Sequence, residues 1–295
     1  MSLTSMLASR GLPLREFFEE RLPNVKPLQA DWRSCGAPSI LPDGPIVWSL
    51  VGTAFDYRLR YLFIKTPVER FVAALGAART GEVFFSFDNL AASLEEFVAS
   101  HDPTGGILAP ADEAQLARFC YVLAMYESLF RALNVNSPLL GLREGASTEE
   151  QLALVPPEAV DDMVALTKSA AETLRPMFGN RIFANPNFAG SIDVGGADAD
   201  LIVDATLIDI KTTKNRSLER AMVYQLVGYL LLDYEDDYEI SEVGFYLSRV
   251  PALVRWPAEA VVTSLSNGRE TIEGLRHDMR RLLAPHRRRG YMPRG

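Results

Sequence analysis

Residues 191–213 read SIDVGGADADLIVDATLIDIKTT, and this stretch predicts a β-hairpin at the centre of the fold. Two short runs, LIV at 201–203 and LIDI at 207–210, are almost entirely aliphatic and are bounded by glycine, alanine and threonine. Short β-branched runs between turn residues are typical of strands that are buried on at least one face. The pattern therefore predicts two strands joined by a tight turn.

Three charged side chains are expected at one edge of this hairpin. Side chains two residues apart share a face of a strand, so Asp209 and Lys211 project together while Ile208 and Ile210 face the core. Charged groups inside such an apolar strand are costly unless each has a partner. A structural Asp–Lys pair at a strand end is one interpretation. Asp200 favours a functional site, because it brings a second carboxylate to the same edge.

These residue types suit a divalent metal ion bound next to a phosphodiester. Mg²⁺ is usually held by one or two carboxylates, several waters and the phosphate oxygens of the substrate. Asp200 and Asp209 are the predicted ligands, with the backbone carbonyl of Ile210 as a third. Bound Mg²⁺ or Mn²⁺ lowers the pKa of a water, and Lys211 beside it positions that water and offsets negative charge. The constellation predicts metal-dependent cleavage of nucleic acid.

The helix that follows the hairpin completes a family pattern. In residues 217–232, SLERAMVYQLVGYLLL, Gln225 and Tyr229 lie four residues apart on one helical face. With Asp200 and the Asp209-Ile210-Lys211 motif, this Gln-x-x-x-Tyr element resembles the PD-(D/E)XK nuclease superfamily, in its RecB-like or exonuclease-like branch. The ordered set of three elements is more specific than an isolated Asp-x-Lys.

The resemblance, which covers residues 180–256, implies both a fold and an activity. The fold would be α/β with a restriction-endonuclease-like core, a mixed central sheet flanked by helices, and here a helical N-terminal part. The activity would be that of a deoxyribonuclease that hydrolyses DNA phosphodiester bonds, with DNA against RNA left open. Gln225 and Tyr229 would help to bind the nucleic-acid strand. Because their helix is apolar nearly all round, packing against the sheet is the alternative for both residues.

Several other hairpin residues are candidates, and the proline of the family name is missing. Asp200 is preferred as the ligand because it directly precedes the apolar strand, with Asp198 as second choice. Asp204 is expected to cap the turn. Thr212 and Thr213 follow the lysine and are candidates to orient it or to contact phosphate, although their β propensity explains them equally well.

The superfamily often places another acidic ligand on a helix before the core. Glu127 is the preferred candidate here and Asp56 the other. Each has an arginine four residues later, Arg131 and Arg60, so a helical ion pair is the favoured alternative for both. Arg249, after a predicted strand, is a candidate to meet a phosphate, and a plain strand-end arginine explains it too.

Composition indicates an ordinary globular protein. The chain has 295 residues, of which 48% are hydrophobic and 23% charged, and no apolar stretch approaches the length of a membrane span. Its N-terminus does not resemble a secretory signal, so a cytoplasmic location is expected. Cys35 and Cys120 are the two cysteines, which excludes the four-cysteine iron–sulfur cluster of some RecB-like nucleases. Trp32, Trp48 and Trp256 are not interleaved with basic residues, so the sequence predicts no stacking platform.

The net charge of −8 is unevenly distributed. From residue 212 onwards the chain carries 13 Lys and Arg against 11 Asp and Glu, whereas the part before it carries 17 against 27. A basic C-terminal segment can neutralise phosphates, and a solvated helix end is the alternative. The acidic N-terminal part is a candidate surface for a protein partner. Only the groove of a nuclease must be positive, so the net charge does not exclude one.

The sequence divides into a mainly helical part at residues 1–150 and a nuclease-like core with a C-terminal helix at residues 151–295. Whether the two parts form one domain is left open by the sequence. Helices are predicted over 14–22, 47–64, 67–79, 112–134, 157–178, 217–232 and 257–283, with an irregular proline-rich connection over 23–46. Strands are predicted from about residue 181, and again in EVGFYLSRVP after the Gln225 helix.

Two other functions compete with catalysis. In one, a nuclease fold serves as a non-catalytic nucleic-acid-binding or scaffold module. In the other, the hairpin is purely structural and the protein is a helical interaction protein. The second would place Asp209 and Lys211 on opposite sides of the sheet or far from Asp200, so the structure bears directly on it.

Overall fold

A five-stranded mixed sheet organises the protein, and the computed structural model describes residues 2–68, 71–80, 84–132, 136–179 and 181–290. The strands are β1 (Ile182–Ala184), β2 (Leu201–Val203), β3 (Thr206–Lys211), β4 (Glu242–Leu247) and β5 (Ala252–Pro257). They lie side by side in chain order. Strands β3 and β4 are parallel, and the other three neighbouring pairs are antiparallel.

Twelve α-helices are found in the described part of the chain. They are α1 (Leu3–Ala8), α2 (Pro13–Arg21), α3 (Lys26–Ser34), α4 (Trp48–Phe63), α5 (Val72–Thr80), α6 (Phe84–His101), α7 (Pro110–Ala132), α8 (Thr148–Leu152), α9 (Pro157–Thr173), α10 (Arg220–Leu232), α11 (Ala258–Ser266) and α12 (Ile272–Gly290). None of these described helices is both long and apolar enough to cross a membrane.

The predicted hairpin is formed by β2 and β3, with Val203 paired to Thr206 at the turn. Asp204 stands in this turn with a φ of 53°, a left-handed conformation that aspartate adopts more readily than most residues. Its carboxylate accepts a hydrogen bond from the backbone N–H of Arg181 at 3.1 Å. The turn thus also fixes the start of β1, which pairs with the other edge of β2.

Helix α10 connects the parallel strands β3 and β4, as a parallel pair requires a crossover. The helix is buried on nearly every side, as its all-round apolar sequence predicts. At Gly228 the missing side chain makes room for Leu3 of α1, because a Cβ there would lie 3.2 Å from a methyl group of Leu3. The N-terminal helix therefore packs directly on the crossover helix.

The two faces of the sheet bury two separate apolar clusters. Leu201 and Ile208 face the first cluster, which contains residues of α4 to α9. Ile202 and Leu207 face the second cluster, to which α1, α2, α3, α10, α11 and α12 contribute. This alternation is that of strands buried on both faces. The fold is α/β, with a mixed sheet flanked by helices, and residues before 150 cover both faces of it.

The structure corrects two sequence-based predictions. The proline-rich segment 23–46 contains α3, whose first turn holds Pro27, where a missing N–H costs nothing. The C-terminal helix expected over 257–283 is divided into α11 and α12, and β5, which ends at Pro257, was not predicted. Helix α11 ends where Asn267 and Gly268 both have positive φ, a common way to terminate a helix.

Other predicted boundaries shifted, and three further helices were not predicted. The helix expected over 67–79 begins at Val72, and residues 69 and 70 lie outside the described part. The helix expected over 112–134 matches α7, with residues 133 and 134 outside it. Helices α1, α6 and α8 had no counterpart in the prediction.

Candidate functional site

The hairpin register places two carboxylates opposite each other. Leu201 pairs with Ile208, so the next position outward sets Asp200 against Asp209. Asp200 Oδ2 accepts a hydrogen bond from the backbone N–H of Ile210 at 2.6 Å, which draws its carboxylate across the end of the hairpin. Both aspartates lie near Tyr229 of α10.

Lys211 completes this group from the same face of β3. Its Nζ lies 2.5 Å from Asp209 Oδ2, and Asp209 is only 1% exposed. Burial alone would lower the pKa of Lys211, but the charges of Asp209 and Asp200 raise it overall. The lysine is therefore held in its charged form between two carboxylates. The structure thus brings Asp200, Asp209 and Lys211 together, and it does not place Asp209 and Lys211 on opposite sides of the sheet or far from Asp200.

The carboxylates carry more negative charge than one lysine offsets. Burial, the largest cause, and the charge of Asp209 together raise the pKa of Asp200 to about 6 against the opposing effect of Lys211. Burial also raises the pKa of Asp209, while Lys211 lowers it. A raised carboxyl pKa indicates that the ionised form lacks compensation at that position. A cation bound between the two aspartates would supply it.

Gln225 and Tyr229 on α10 form a hydrogen-bonded chain that ends on the lysine. Gln225 Oε1 accepts from Lys211 Nζ at 3.3 Å, and Gln225 Nε2 donates to Tyr229 Oη at 2.8 Å and to Thr4 Oγ1 at 3.1 Å. The two acceptors fix the amide so that its oxygen faces Lys211. Tyr229 is 5% exposed, so the packing role considered from sequence applies to it, while Gln225 holds the lysine in place.

Asp200, Gln225 and Tyr229 border a recess of about 620 Å³ at the end of the sheet, whereas Asp209 and Lys211 are not among its lining residues. Its walls come from α1, α4, α5, α7, α10 and the loop before β2. Its lining includes Thr4, Trp48, Gly52, Asp56, Arg60, Glu127, Arg131, Asp198, Asp200, Ile210, Thr212, Gln225 and Tyr229. The backbone turns at Gly195 and Gly196, where φ is 73° and 111°, bring that loop over the recess.

Both upstream acids line the recess, and both make the expected helical ion pair. Asp56 pairs with Arg60, and Glu127 pairs with Arg131 and also accepts a hydrogen bond from Tyr57 Oη. These contacts engage both carboxylate oxygens of Glu127. Asp56 differs, because its Oδ1 is buried without a hydrogen-bond partner among the described residues.

The electrostatic environment of Asp56 resembles that of the hairpin carboxylates. Burial, the largest cause, and the charges of Asp200 and Glu127 raise the pKa of Asp56 to about 7, although Arg60 opposes the rise. Asp56 also raises the pKa of Asp209. Three carboxylates from two parts of the chain therefore influence one another at this end of the sheet.

The threonines and Asp198 have separate positions. Thr212 lines the recess and accepts a hydrogen bond from Ser248 Oγ at 3.1 Å. Thr213 instead accepts from the backbone N–H of Asn215 at 3.0 Å and stabilises the following loop. Asp198 lines the recess and accepts from Asn187 Nδ2 at 3.0 Å, so it is tied to a neighbouring loop rather than to β3.

Arg249 is not positioned to meet a phosphate, and its assignment to nucleic-acid contact is corrected. Its side chain is fully buried and forms a bidentate ion pair with Asp162 on α9, in which Nη2 lies 2.7 Å from Oδ2. Asp162 is likewise buried. The alternative weighed from sequence, a structural arginine at the end of a strand, describes it correctly.

Part of the predicted basic C-terminal segment is engaged by acidic neighbours. Arg276 pairs with Asp236 and Arg280 with Glu235, each at 2.7 Å. The side chains of residues 287–289, and the whole of residue 294, lie outside the described residues. Arg276 and Arg280 line a different cavity from the one beside Asp200.

One face of α4 contributes a wall of the recess that the sequence did not predict. Trp48, Gly52, Asp56 and Arg60 recur every four residues and all line the recess. The signal was present as a polar and aromatic stripe on an otherwise apolar helix. This stripe could not be assigned to the site from sequence, because it is far from the hairpin along the chain and the pattern does not show which end of the sheet a helix approaches.

The residues present fit a hard divalent cation held partly by water. Among the described residues, no three His, Cys, Asp or Glu side chains form a ready-made metal site. The available donors are the carboxylates of Asp200 and Asp209 and the backbone carbonyl of Ile210, which borders the recess. Mg²⁺ commonly uses one or two carboxylates and keeps several waters, so this donor set suits it.

Comparisons with known proteins identify no relative. No protein-family model matches the chain, and neither a search of curated proteins nor one of solved structures gives a match.

The incompletely compensated charge of the two carboxylates predicts that removing one of them changes the free energy of unfolding. Asp200→Asn keeps an acceptor for the Ile210 N–H and removes a charge, so it should stabilise the metal-free protein at pH 8 by on the order of 1 kcal/mol. The folded-state pKa is raised above the unfolded value, so ionisation destabilises the fold. The gain should therefore shrink as the pH falls from about 6 toward 4.

Urea unfolding with chelator present, at pH 8, 6 and 4.5, measures this difference. Asp161→Asn, at an exposed position on α9, is the matched control and should change little at any pH. A loss of stability in Asp200→Asn at pH 8 would show that the carboxylate is compensated in the folded protein.

Proposed function

We propose that this protein is a metal-dependent deoxyribonuclease of the PD-(D/E)XK superfamily, in its RecB-like branch, with a restriction-endonuclease-like core. The observation that carries the proposal is the opposition of Asp200 and Asp209 across the hairpin, with Lys211 Nζ 2.5 Å from Asp209. Three charges are held together, one of them on Asp200 in the wall of a recess, and a structural role alone requires no such concentration.

In this proposal Asp200, Asp209 and the carbonyl of Ile210 hold Mg²⁺ or Mn²⁺. The ion would supply an activated water and neutralise charge that develops on the phosphate. The backbone N–H of Ile210 orients the Asp200 carboxylate, leaving its other oxygen for the cation. Burial of Asp209 limits its freedom to turn away.

Asp56 is the better fit for the upstream acidic ligand, in place of Glu127. Asp56 keeps one buried oxygen without a hydrogen-bond donor, whereas Tyr57 and Arg131 engage both oxygens of Glu127. The charge of Asp200 raises the pKa of Asp56, and this electrostatic interaction supports the same choice. In this arrangement Glu127 holds Arg131, whose side chain is 59% exposed, at the rim of the recess.

Lys211 would position the attacking water and offset the negative charge of the phosphate. Gln225 would keep the ammonium group of Lys211 directed toward the carboxylates, because Tyr229 and Thr4 fix the orientation of the Gln225 amide. Gln225 then acts as a positioning residue for the lysine, and its contact with the nucleic-acid strand remains part of the proposal. Thr212, on the wall of the recess, is the threonine placed to meet a phosphate.

Basic side chains lie beside the carboxylates although the chain as a whole carries a net charge of −8. Arg60, Arg131 and Lys211 border the carboxylates, and Lys214 follows on the exposed loop after β3. Among the described residues the recess is lined by four carboxylates and two arginines, so a phosphate there would depend on a bound cation for compensation. The acidic surface elsewhere on the N-terminal part is left as the proposed surface for a protein partner.

The test is to incubate purified protein with single-stranded and double-stranded DNA and with Mg²⁺ or Mn²⁺. Cleavage that depends on the metal and stops with chelator is expected. Nucleic-acid binding without cleavage under either metal would favour the non-catalytic module. Cleavage that persists in chelator would contradict the mechanism.

A further inference from the structure

Trp48, at the first turn of α4, lies where the recess opens beside the end of β3. It is half-buried, it lines the recess, and Lys214 Nζ stands 4.6 Å from the centre of its ring. The guanidinium carbon of Arg249 lies 5.0 Å from the same ring centre. The fold therefore combines an aromatic ring with basic side chains that are distant in sequence, an arrangement that the lack of interleaved basic residues around the tryptophans did not predict.

The two cations differ in mobility. Arg249 is fully buried and anchored by Asp162, so it holds the indole from the protein side. Lys214 is exposed, and a cation–π contact at an exposed site is worth only about 0.5–1 kcal/mol. An incoming ring could therefore displace Lys214 from Trp48 at small cost. The displaced ammonium group would then be free to meet a phosphate.

The position of Trp48 relative to the carboxylates suits a nucleotide near the scissile one. Trp48 and Asp56 are on the same face of α4, eight residues apart, which corresponds to about 12 Å along the helix axis. Gly52 lies between them and leaves that wall of the recess clear. Lys214 lies on the exposed loop that follows β3, three residues beyond Lys211, and its ammonium group stands over the indole.

The recess favours one strand over a duplex. Its volume of about 620 Å³ is that of a pocket for a small ligand, which accommodates a nucleotide or two and not both strands of a helix. Leu75, at 52% exposure, and Phe130, at 37%, add apolar surface to its rim. Apolar and aromatic surface fits the faces of unpaired bases, which are hidden inside a duplex.

We propose that Trp48 and Lys214 form a subsite for one nucleotide of single-stranded nucleic acid, with the base stacked on the indole and the neighbouring phosphate bound by the ammonium group. The inference rests on the proposed nuclease function and names its substrate class as an unpaired strand.

The test measures binding by fluorescence anisotropy, in an Asp209→Asn background with Mg²⁺ so that cleavage does not interfere. Three labelled oligonucleotides of equal length are compared: a single strand, its duplex, and a single strand with abasic sites. Trp48→Leu should weaken binding of the normal single strand roughly tenfold, because aromatic stacking on a base contributes strongly to such sites. It should leave the already weaker binding of the abasic strand unchanged. Trp48→Phe should restore most of the loss.

Two further variants separate stacking from general effects. Trp256→Leu is the matched control, a half-buried tryptophan on β5 that does not line the recess, and should bind like the parent. Lys214→Met should weaken the normal and abasic strands alike and reduce the slope of log affinity against log salt by about 0.7. Thermal unfolding of each variant checks that the fold persists.

The outcomes distinguish this inference from the function on which it rests. Equal weakening of normal and abasic strands by Trp48→Leu, or tighter binding of duplex than of single strand, would overturn the subsite while the nuclease proposal stands. If the parent protein binds no oligonucleotide and cleaves none, the proposed function fails and the subsite fails with it.

Discussion

Lys211→Met should reduce the rate of DNA cleavage by a factor of about 10² to 10³, the usual cost of removing one preorganised electrostatic contact from a transition state. The lysine lies between Asp209 and Gln225, and no other described lysine contacts either residue. Methionine has a similar length and volume without the charge. Initial cleavage rates at saturating Mg²⁺, compared per folded molecule, measure the effect.

This variant also leaves Asp209 buried without its partner, so stability must be separated from catalysis. Removing one member of a buried ion pair is commonly destabilising by about 3–5 kcal/mol. Rates should be measured well below the unfolding midpoint of each variant. The double variant Asp209→Asn, Lys211→Met removes both charges and should recover stability without recovering activity. Recovery of both would assign the loss to folding alone.

Lys168→Met provides the matched control, since Lys168 is exposed on α9 and lies away from the recess. Its cleavage rate should equal that of the wild type. A Lys211→Met protein that is folded and cleaves within a factor of a few of the wild type would remove Lys211 from the mechanism.

The hairpin and its Asp–Lys pair were predictable because the information is local. The period of two along LIDIK determines that Asp209 and Lys211 share a face, whatever surrounds the strand. The short turn determines that Asp200 returns to the same edge. A parallel β4 after an intervening helix is likewise implied by the strand–helix–strand pattern. Each of these features depends on residues close together in the chain.

The remainder of the site depends on tertiary packing that local patterns do not encode. Asp56 and Trp48 reach the recess because α4 packs against the end of the sheet, more than 140 residues before the hairpin in sequence. An aspartate and an arginine four residues apart predict a helical pair equally well on any surface. The preference for Glu127 over Asp56 followed from helix length alone. Which oxygen of each carboxylate stays free is decided by neighbours such as Tyr57.

Arg249 shows that a residue predicted from sequence to be functional can instead be structural, because its burial depends on tertiary packing. Its partner Asp162 is 87 residues earlier in the chain, so a position after a strand gave no indication that the guanidinium is enclosed. An arginine is rarely fully buried unless it is paired, and sequence did not reveal the pair. The two positions predict different effects of mutation. Loss of a phosphate contact would lower the affinity for nucleic acid, whereas loss of a buried ion pair lowers the stability of the fold.

Arg249→Met should therefore lower the free energy of unfolding by about 3–5 kcal/mol, because it leaves Asp162 ionised and buried without compensation. Asp162→Asn should have a similar effect, and the double variant Arg249→Met, Asp162→Leu should recover most of the loss by removing both charges. Arg255→Met is the matched control, since Arg255 pairs with Glu242 at a site where the two side chains are 46% and 37% exposed. That change should stay within about 0.5 kcal/mol. Denaturant unfolding measures all four variants.

The same variant also tests the corrected position of Arg249. In its folded fraction, the slope of log affinity for single-stranded DNA against log salt should equal that of the wild type, because no phosphate contact has been lost. A direct contact would instead reduce the slope by about 0.7. A stable Arg249→Met protein with a reduced slope would place the guanidinium in the nucleic-acid path. An unstable protein with an unchanged slope is the result expected from a side chain that is fully buried against Asp162.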